Sequence, residues 1–274
     1  MAENIYEIEG DKLLKSGNIE GAIKSYTQAI EQEANNAKLY LKRAAAEDIE
    51  GMADEFFEDY TKVTQIAPNT AEFYYAKSHL TYSFSKEESD NIIDLGPSEK
   101  EKLEALNYVN KAIELDPSYA AAYDWRAFLK KELNDYKGAL EDHNKAIELV
   151  YDYYNYYFFR GETRSKIKDF GGAIKDYSKA IELNPKFAYA YKRRGNLLYK
   201  IGDKQSAKED FKEAEKFGWH PLPILRLLLI IIIGIILIYF VPLLASMLGA
   251  TIGQDLLIYL SCMIIPIILL FIAK

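Results

Sequence analysis

The 274-residue sequence predicts an all-α chain in two parts: a solenoid of about six helix–turn–helix repeats, then two membrane-crossing helices. Three observations predict this. Related segments return at the same phase, two of them 34 residues apart, with small and aromatic residues at helical spacing. Gly/Asp turns and prolines punctuate the chain at matching positions. Residues 222–274 hold Arg226, Asp255 and Lys274 as their only charges, which is too apolar for a soluble domain.

The repeats frame residues 1–221 as six units, 3–36, 37–70, 71–119, 120–153, 154–187 and 188–221. Each opens with a first helix, A, rich in Tyr, Ala and Arg. A turn follows, such as Ser16-Gly17-Asn18, Asn134-Asp135, Lys168-Asp169 or Gly202-Asp203. The second helix, B, then carries Ala, an aromatic and Ala at 0, +4 and +7, as in Ala22/Tyr26/Ala29, Ala173/Tyr177/Ala180 and Ala207/Phe211/Ala214. That spacing places all three on one helical face. The small residues admit helix A closely and the ring fills the gap. Pro68, Pro117 and Pro185 stop helix B. One such unit cannot bury its own apolar face, so neighbours must stack.

With this period, these small-residue positions and these turns, residues 3–221 resemble the tetratricopeptide repeat family. The family's small residue in helix A is kept at Gly10, Gly161 and Gly195; Ala44 and Ala127 replace it, and Ser78 departs furthest. The resemblance implies a concave groove lined by the A helices that receives a protein or peptide ligand. The aligned positions here are Tyr75, His79 and Tyr82 in unit three, Trp125 and Phe128 in unit four, Phe158 and Phe159 in unit five, and Tyr189 and Tyr199 in unit six. Lys192, Arg193 and Asn196 add a polar patch. Tyr and Trp suit such a surface because they combine large contact area with a polar tip, although the same rings also serve as solenoid core. Some family members grip a C-terminal carboxylate with Lys, Asn and Arg from three A helices. The aligned residues here are Asp124, Phe128, Phe159, Tyr189 and Arg193, and Arg193 alone matches that chemistry.

A charged pair recurs with a spacing of 16: Arg43/Asp59, Arg126/Asp142, Arg160/Asp176 and Arg194/Asp210. The Arg falls on helix A and the Asp on helix B. The expected role is register between packed helices, within a unit or across to the next. Units one and three lack the pair, with Glu9/Ser25 and Lys77/Tyr108 in its place. Unit three also carries an insertion, residues 85–97, with a net charge of −3. Gly96-Pro97 breaks it, and Ser98-Glu-Lys-Glu101 reads as a capping box for the helix that follows.

The membrane anchor is expected at 222–274, with transmembrane helices at about 224–248 and 256–273. The 18 residues from 256 to 273 rise about 27 Å as a helix, close to the hydrocarbon thickness. Lys212, Lys216 and Arg226 precede the first span and Lys274 ends the second, while the turn holds Asp255. The positive-inside rule then puts both termini in the cytoplasm. The first ten residues have neither a basic start nor an apolar run, so no secretory signal is expected.

Residues 1–221 carry 32 Lys/Arg against 40 Asp/Glu, a net of −8. A surface of that sign excludes nucleic acid as a partner. The lone Cys262 leaves no intrachain disulfide, and the three histidines lack metal-ligand spacing, so no cofactor or metal is expected. Nucleophile-elbow, phosphate-loop and dinucleotide motifs are missing, which argues against an enzyme. The expected function is a membrane-anchored scaffold or adaptor with a protein or peptide ligand and the lipid bilayer as partners. The alternative is a subunit or assembly factor of a membrane transport or secretion complex.

Overall fold

The computed structural model describes residues 4–50, 53–83 and 97–218. Twelve helices follow one another there as six antiparallel hairpins. They are α1 (Ile5–Lys15) with α2 (Ile19–Gln32), α3 (Ala37–Glu50) with α4 (Ala53–Ile66), and α5 (Ala71–Ser83) with α6 (Glu99–Leu115). The series continues with α7 (Ala120–Glu132) and α8 (Tyr136–Leu149), α9 (Tyr154–Lys166) and α10 (Phe170–Leu183), and α11 (Ala188–Ile201) and α12 (Lys204–Lys216). Each odd helix packs on the even helix after it and on the even helix before it, which is how a solenoid propagates.

The turns form as their residues dictate. Asn18, Asp135, Asp169 and Asp203 cap the second helix of their hairpins, each accepting from a backbone N–H three residues on at 2.9–3.1 Å. The residue before each cap is left-handed: Gly17, Asn134, Lys168 and Gly202. Ser98 and Glu101 make the expected reciprocal capping box on α6. Pro68, Pro117 and Pro185 fall two residues past the ends of α4, α6 and α10.

The small-residue pattern does what its spacing requires. Tyr26 and Tyr177 are almost wholly buried, and the alanines flanking them in α2 and α10 are fully so. Gly10 and Gly161 are open to these rings: a Cβ on either would fall within 2.8 Å of the tyrosine. The phenol tips are satisfied, Tyr26 by Asp11 at 2.8 Å and Tyr177 by Glu162. In α8 the ring position is His143, whose nitrogens face Asp124 Oδ1 at 2.9 Å and Thr163 Oγ1 at 3.2 Å.

Among the described residues no helix is long and apolar enough to cross a membrane. The spans expected at 224–248 and 256–273 lie outside the described residues, as does nearly all of the insertion expected at 85–97.

Candidate functional site

The four Arg/Asp pairs form, and each Arg does more than its spacing foretold. In Arg43, Arg126, Arg160 and Arg194, Nε and Nη2 both donate to the Asp sixteen residues later, at 2.6–3.0 Å. This fork seals the hairpin from within. Nη1 reaches sixteen residues back, to Thr27, Asn110, Asn144 or Ser178 on the preceding hairpin, at 2.8–3.2 Å. A tyrosine three residues before each Arg lies against the guanidinium at 5.2–5.8 Å. The Asp partners are buried. The ladder therefore works both within a unit and across to the preceding one. In unit three, where the pair is missing, Lys77 Nζ sits 4.7 Å above the Tyr108 ring instead.

Four residues after each Arg, the units diverge. Lys130 and Arg164 add a second cation to Asp142 and Asp176, at 2.7 and 2.9 Å. Unit two has Glu47 there, 3.5 Å from Arg43 and almost fully buried. Its Oε2 has no hydrogen-bond partner among the described residues. Burial, with the neighbouring Asp59 charge adding to it and Arg43 opposing, pushes the Glu47 carboxyl up to about 7.

The groove positions of units three and four are spent on one another. His79 lies between Tyr60 and Trp125, stacked on both at centroid distances of 4.5 and 3.7 Å. Trp125 stacks in turn on Phe128 at 5.0 Å. Tyr82 meets Trp125 and Phe128 edge-on, and Tyr75 packs edge-on against His79. Trp125 Nε1 donates to Ser78 Oγ at 2.8 Å, and that hydroxyl donates to the Ala105 carbonyl at 2.7 Å. Ser78, the residue furthest from the family pattern, thus anchors the indole. Burial drives the His79 imidazole down to about 3, so it is neutral at physiological pH. Burial likewise pushes the Tyr82 phenol up to about 12. Tyr75 and, further along, Phe158 are buried, so both are core where a ligand surface was expected.

Units five and six differ. Phe159, Tyr189 and Tyr199 remain exposed, at 38, 61 and 58%. Asn196 is exposed and Lys192 half-buried. Arg193 Nη2 pairs with Glu162 at 3.1 Å, and Glu162 also takes the Tyr177 hydroxyl. Tyr189, Lys192, Asn196 and Tyr199 follow one another at helical spacing along one face of α11. In this strip Tyr189, Asn196 and Tyr199 stay exposed, as does Phe159 on α9. His143, Asp124 and Thr163 form a further constellation that sequence reasoning missed. It is a buried tie from α7 through α8 to α9, with the Thr163 hydroxyl fully enclosed. The signal available was a His in the ring position of helix B.

Stacked hairpins with these caps and this ladder define a helical-repeat solenoid. Residues 10–46 and 166–202 match the family model described as TPR repeat. Its fold is shared with the Cut9–Hcn1 hetero-tetramer of the APC/C, at 15% identity over 80% of this chain and 40% of that one, with a TM-score of 0.56. It is also shared with PilF of Pseudomonas aeruginosa, at 18% identity over 69% and 78%, with a TM-score of 0.51. MamA aligns at 21% identity over 76% and 93%, with a TM-score of 0.41.

Proposed function

We propose that the protein is a non-catalytic scaffold that binds a protein segment along α9 and α11 and is tethered to a bilayer by its C-terminal residues. The exposed Tyr189, Asn196 and Tyr199 of α11 carry this reading. Two exposed tyrosines and a polar patch share one helix face, whereas the middle of the molecule packs His79, Tyr82, Trp125 and Phe128 on one another. Aromatic and Arg side chains of this kind dominate the energetics of protein interfaces. The tether rests on the charge-free runs 227–248 and 256–273, with the flanking Lys/Arg favouring cytoplasmic termini.

A photo-crosslinker at position 196 of the full-length chain tests the strip. Capture of a protein in cells should be lost when Tyr189 and Tyr199 are both changed to Ala, with helical content unchanged by circular dichroism. Undiminished capture would place the binding surface elsewhere. Protease added to sealed, right-side-out vesicles tests the tether, and digestion of residues 1–218 from outside would refute the cytoplasmic orientation.

A further inference from the structure

The turn of the first hairpin meets the far end of the solenoid. Lys15 Nζ lies 2.7 Å from Asp152 Oδ2, in the loop between α8 and α9 and 137 residues away. Two residues on, Gly17 presses on Asn184, in the loop between α10 and α11. A Cβ at Gly17 would come within 2.9 Å of the Asn184 amide nitrogen. Asn184 is itself buried. In a solenoid whose helices otherwise pack on sequence neighbours, the chain returns to its own start after four hairpins.

Groups from several hairpins lie near enough to act on one another electrostatically. The Tyr75 phenol is raised first by burial and then by Asp124, Asp48 and Tyr153, which come from α7, α3 and the approach to α9. Asp48 is exposed to solvent, yet surrounding protein raises its carboxyl.

We propose that Lys15 and Gly17, seated on Asp152 and Asn184, form a clasp that closes the inner wall of units one to five, so that a partner segment reaches this wall only when the clasp opens. The role as a gate rests on the proposed partner segment running on from α9 and α11 to this wall; the self-contact does not. The clasp is built to open. Both partners of its ion pair stand well into solvent, at 50 and 38% exposure, where salt screens such pairs. The first hairpin keeps a second hold when the clasp releases, because Lys42 on α3 bridges Glu7 and Asp11 of α1 at 2.8 and 2.7 Å.

Zero-length carbodiimide coupling of the full-length chain, followed by mass spectrometry, tests the contact. A Lys15–Asp152 amide should form within one copy, alongside the Lys42–Asp11 product, and should decline as salt rises. Formation of the Lys42–Asp11 product alone, or a Lys15–Asp152 product joining isotopically distinct copies, would overturn it. The gate is tested in a Cys262→Ser background carrying Asp48→Cys. A small maleimide should label position 48 readily, and a maleimide on a polyethylene glycol chain slowly. Lys15→Glu should speed the bulky label by about two- to fivefold, the range an exposed ion pair commands. Adding Asp152→Lys should restore the slow rate. Bulky labelling that ignores Lys15→Glu, in a chain that still gives the crosslink, would leave a contact without a gate. No arm requires a partner, so a failure here is separable from a failure to find one on α11.

Discussion

Tyr82 and Tyr199 occupy the same register position, one near the end of α5 and the other near the end of α11. Tyr82 is edge-packed on Trp125 and Phe128 of the next first helix, whereas Tyr199 stands 58% exposed. The residue type is identical, so the residue does not set its own burial. The following hairpin does, by presenting rings or not. Tyr82 is followed by α7, which brings Trp125 and Phe128, whereas no further first helix follows α11 among the described residues. An aromatic on the first helix is therefore covered when the next first helix brings aromatics, and left at the surface when no such helix follows.

Substitutions can break this contrast, and a large effect belongs to the middle. Trp125→Ala removes a ring stacked on both His79 and Phe128 and frees the Ser78 hydroxyl. A loss of about 3 kcal/mol is expected in urea denaturation, at the low end for Trp truncations because the ring is only partly buried. A loss below about 1 kcal/mol would mean the stack does not hold units three and four together.

Next comes the ladder. Arg194→Ala leaves buried Asp210 with no second cation, because the position that holds Lys130 or Arg164 elsewhere is Leu198. An unpaired buried carboxylate costs about 3 kcal/mol. Arg160→Ala should cost less, since Arg164 stays on Asp176. Equal shifts in melting temperature would remove the argument for the second cation.

Glu47 should respond in the opposite direction. Its folded-state carboxyl titrates near 7 against an ordinary 4.5, so the folded protein holds the proton more tightly than the unfolded chain. Stability is complete below about pH 4.5 and falls as pH rises through 7, by up to about 3 kcal/mol at most for this one group. Glu47→Gln should raise the melting temperature at pH 8, with the gain fading by pH 5. A gain that does not change with pH would show that the titration lies elsewhere.

The smallest stability effect is expected at the exposed end. Tyr189→Ala with Tyr199→Ala should shift stability by no more than about 0.5 kcal/mol, as surface changes do. A cooperative loss of several times that size would show these rings to be core.

What the sequence allowed, and what it did not, divides along the same line. The helices, caps and Arg/Asp spacing were legible because each is local or repeats at a fixed interval. The backward reach of each Arg to Thr27, Asn110, Asn144 or Ser178 was equally regular, but it became visible only once the hairpins were stacked. The fates of Tyr75, His79 and Tyr199 were not legible, because they depend on the facing helix. Lys15 and Asp152 could not be paired from spacing at all. Their meeting depends on how far each hairpin turns relative to the last, a small rotation summed over four units. The Glu47 anomaly, by contrast, was open to view in the alignment, as an acid where neighbouring units place Lys130 and Arg164.

The backward reach of the ladder gives the array a polarity. Within the ladder, shortening the chain from its C-terminal end strands only neutral acceptors, Ser178 or Asn144, which water can serve at little cost. Shortening it from the other end deprives Arg43 of Thr27 and exposes a charged fork that was built to be covered. The molecule tolerates growth and loss unequally at its two ends, so its first hairpin acts as foundation and its last as a place to build.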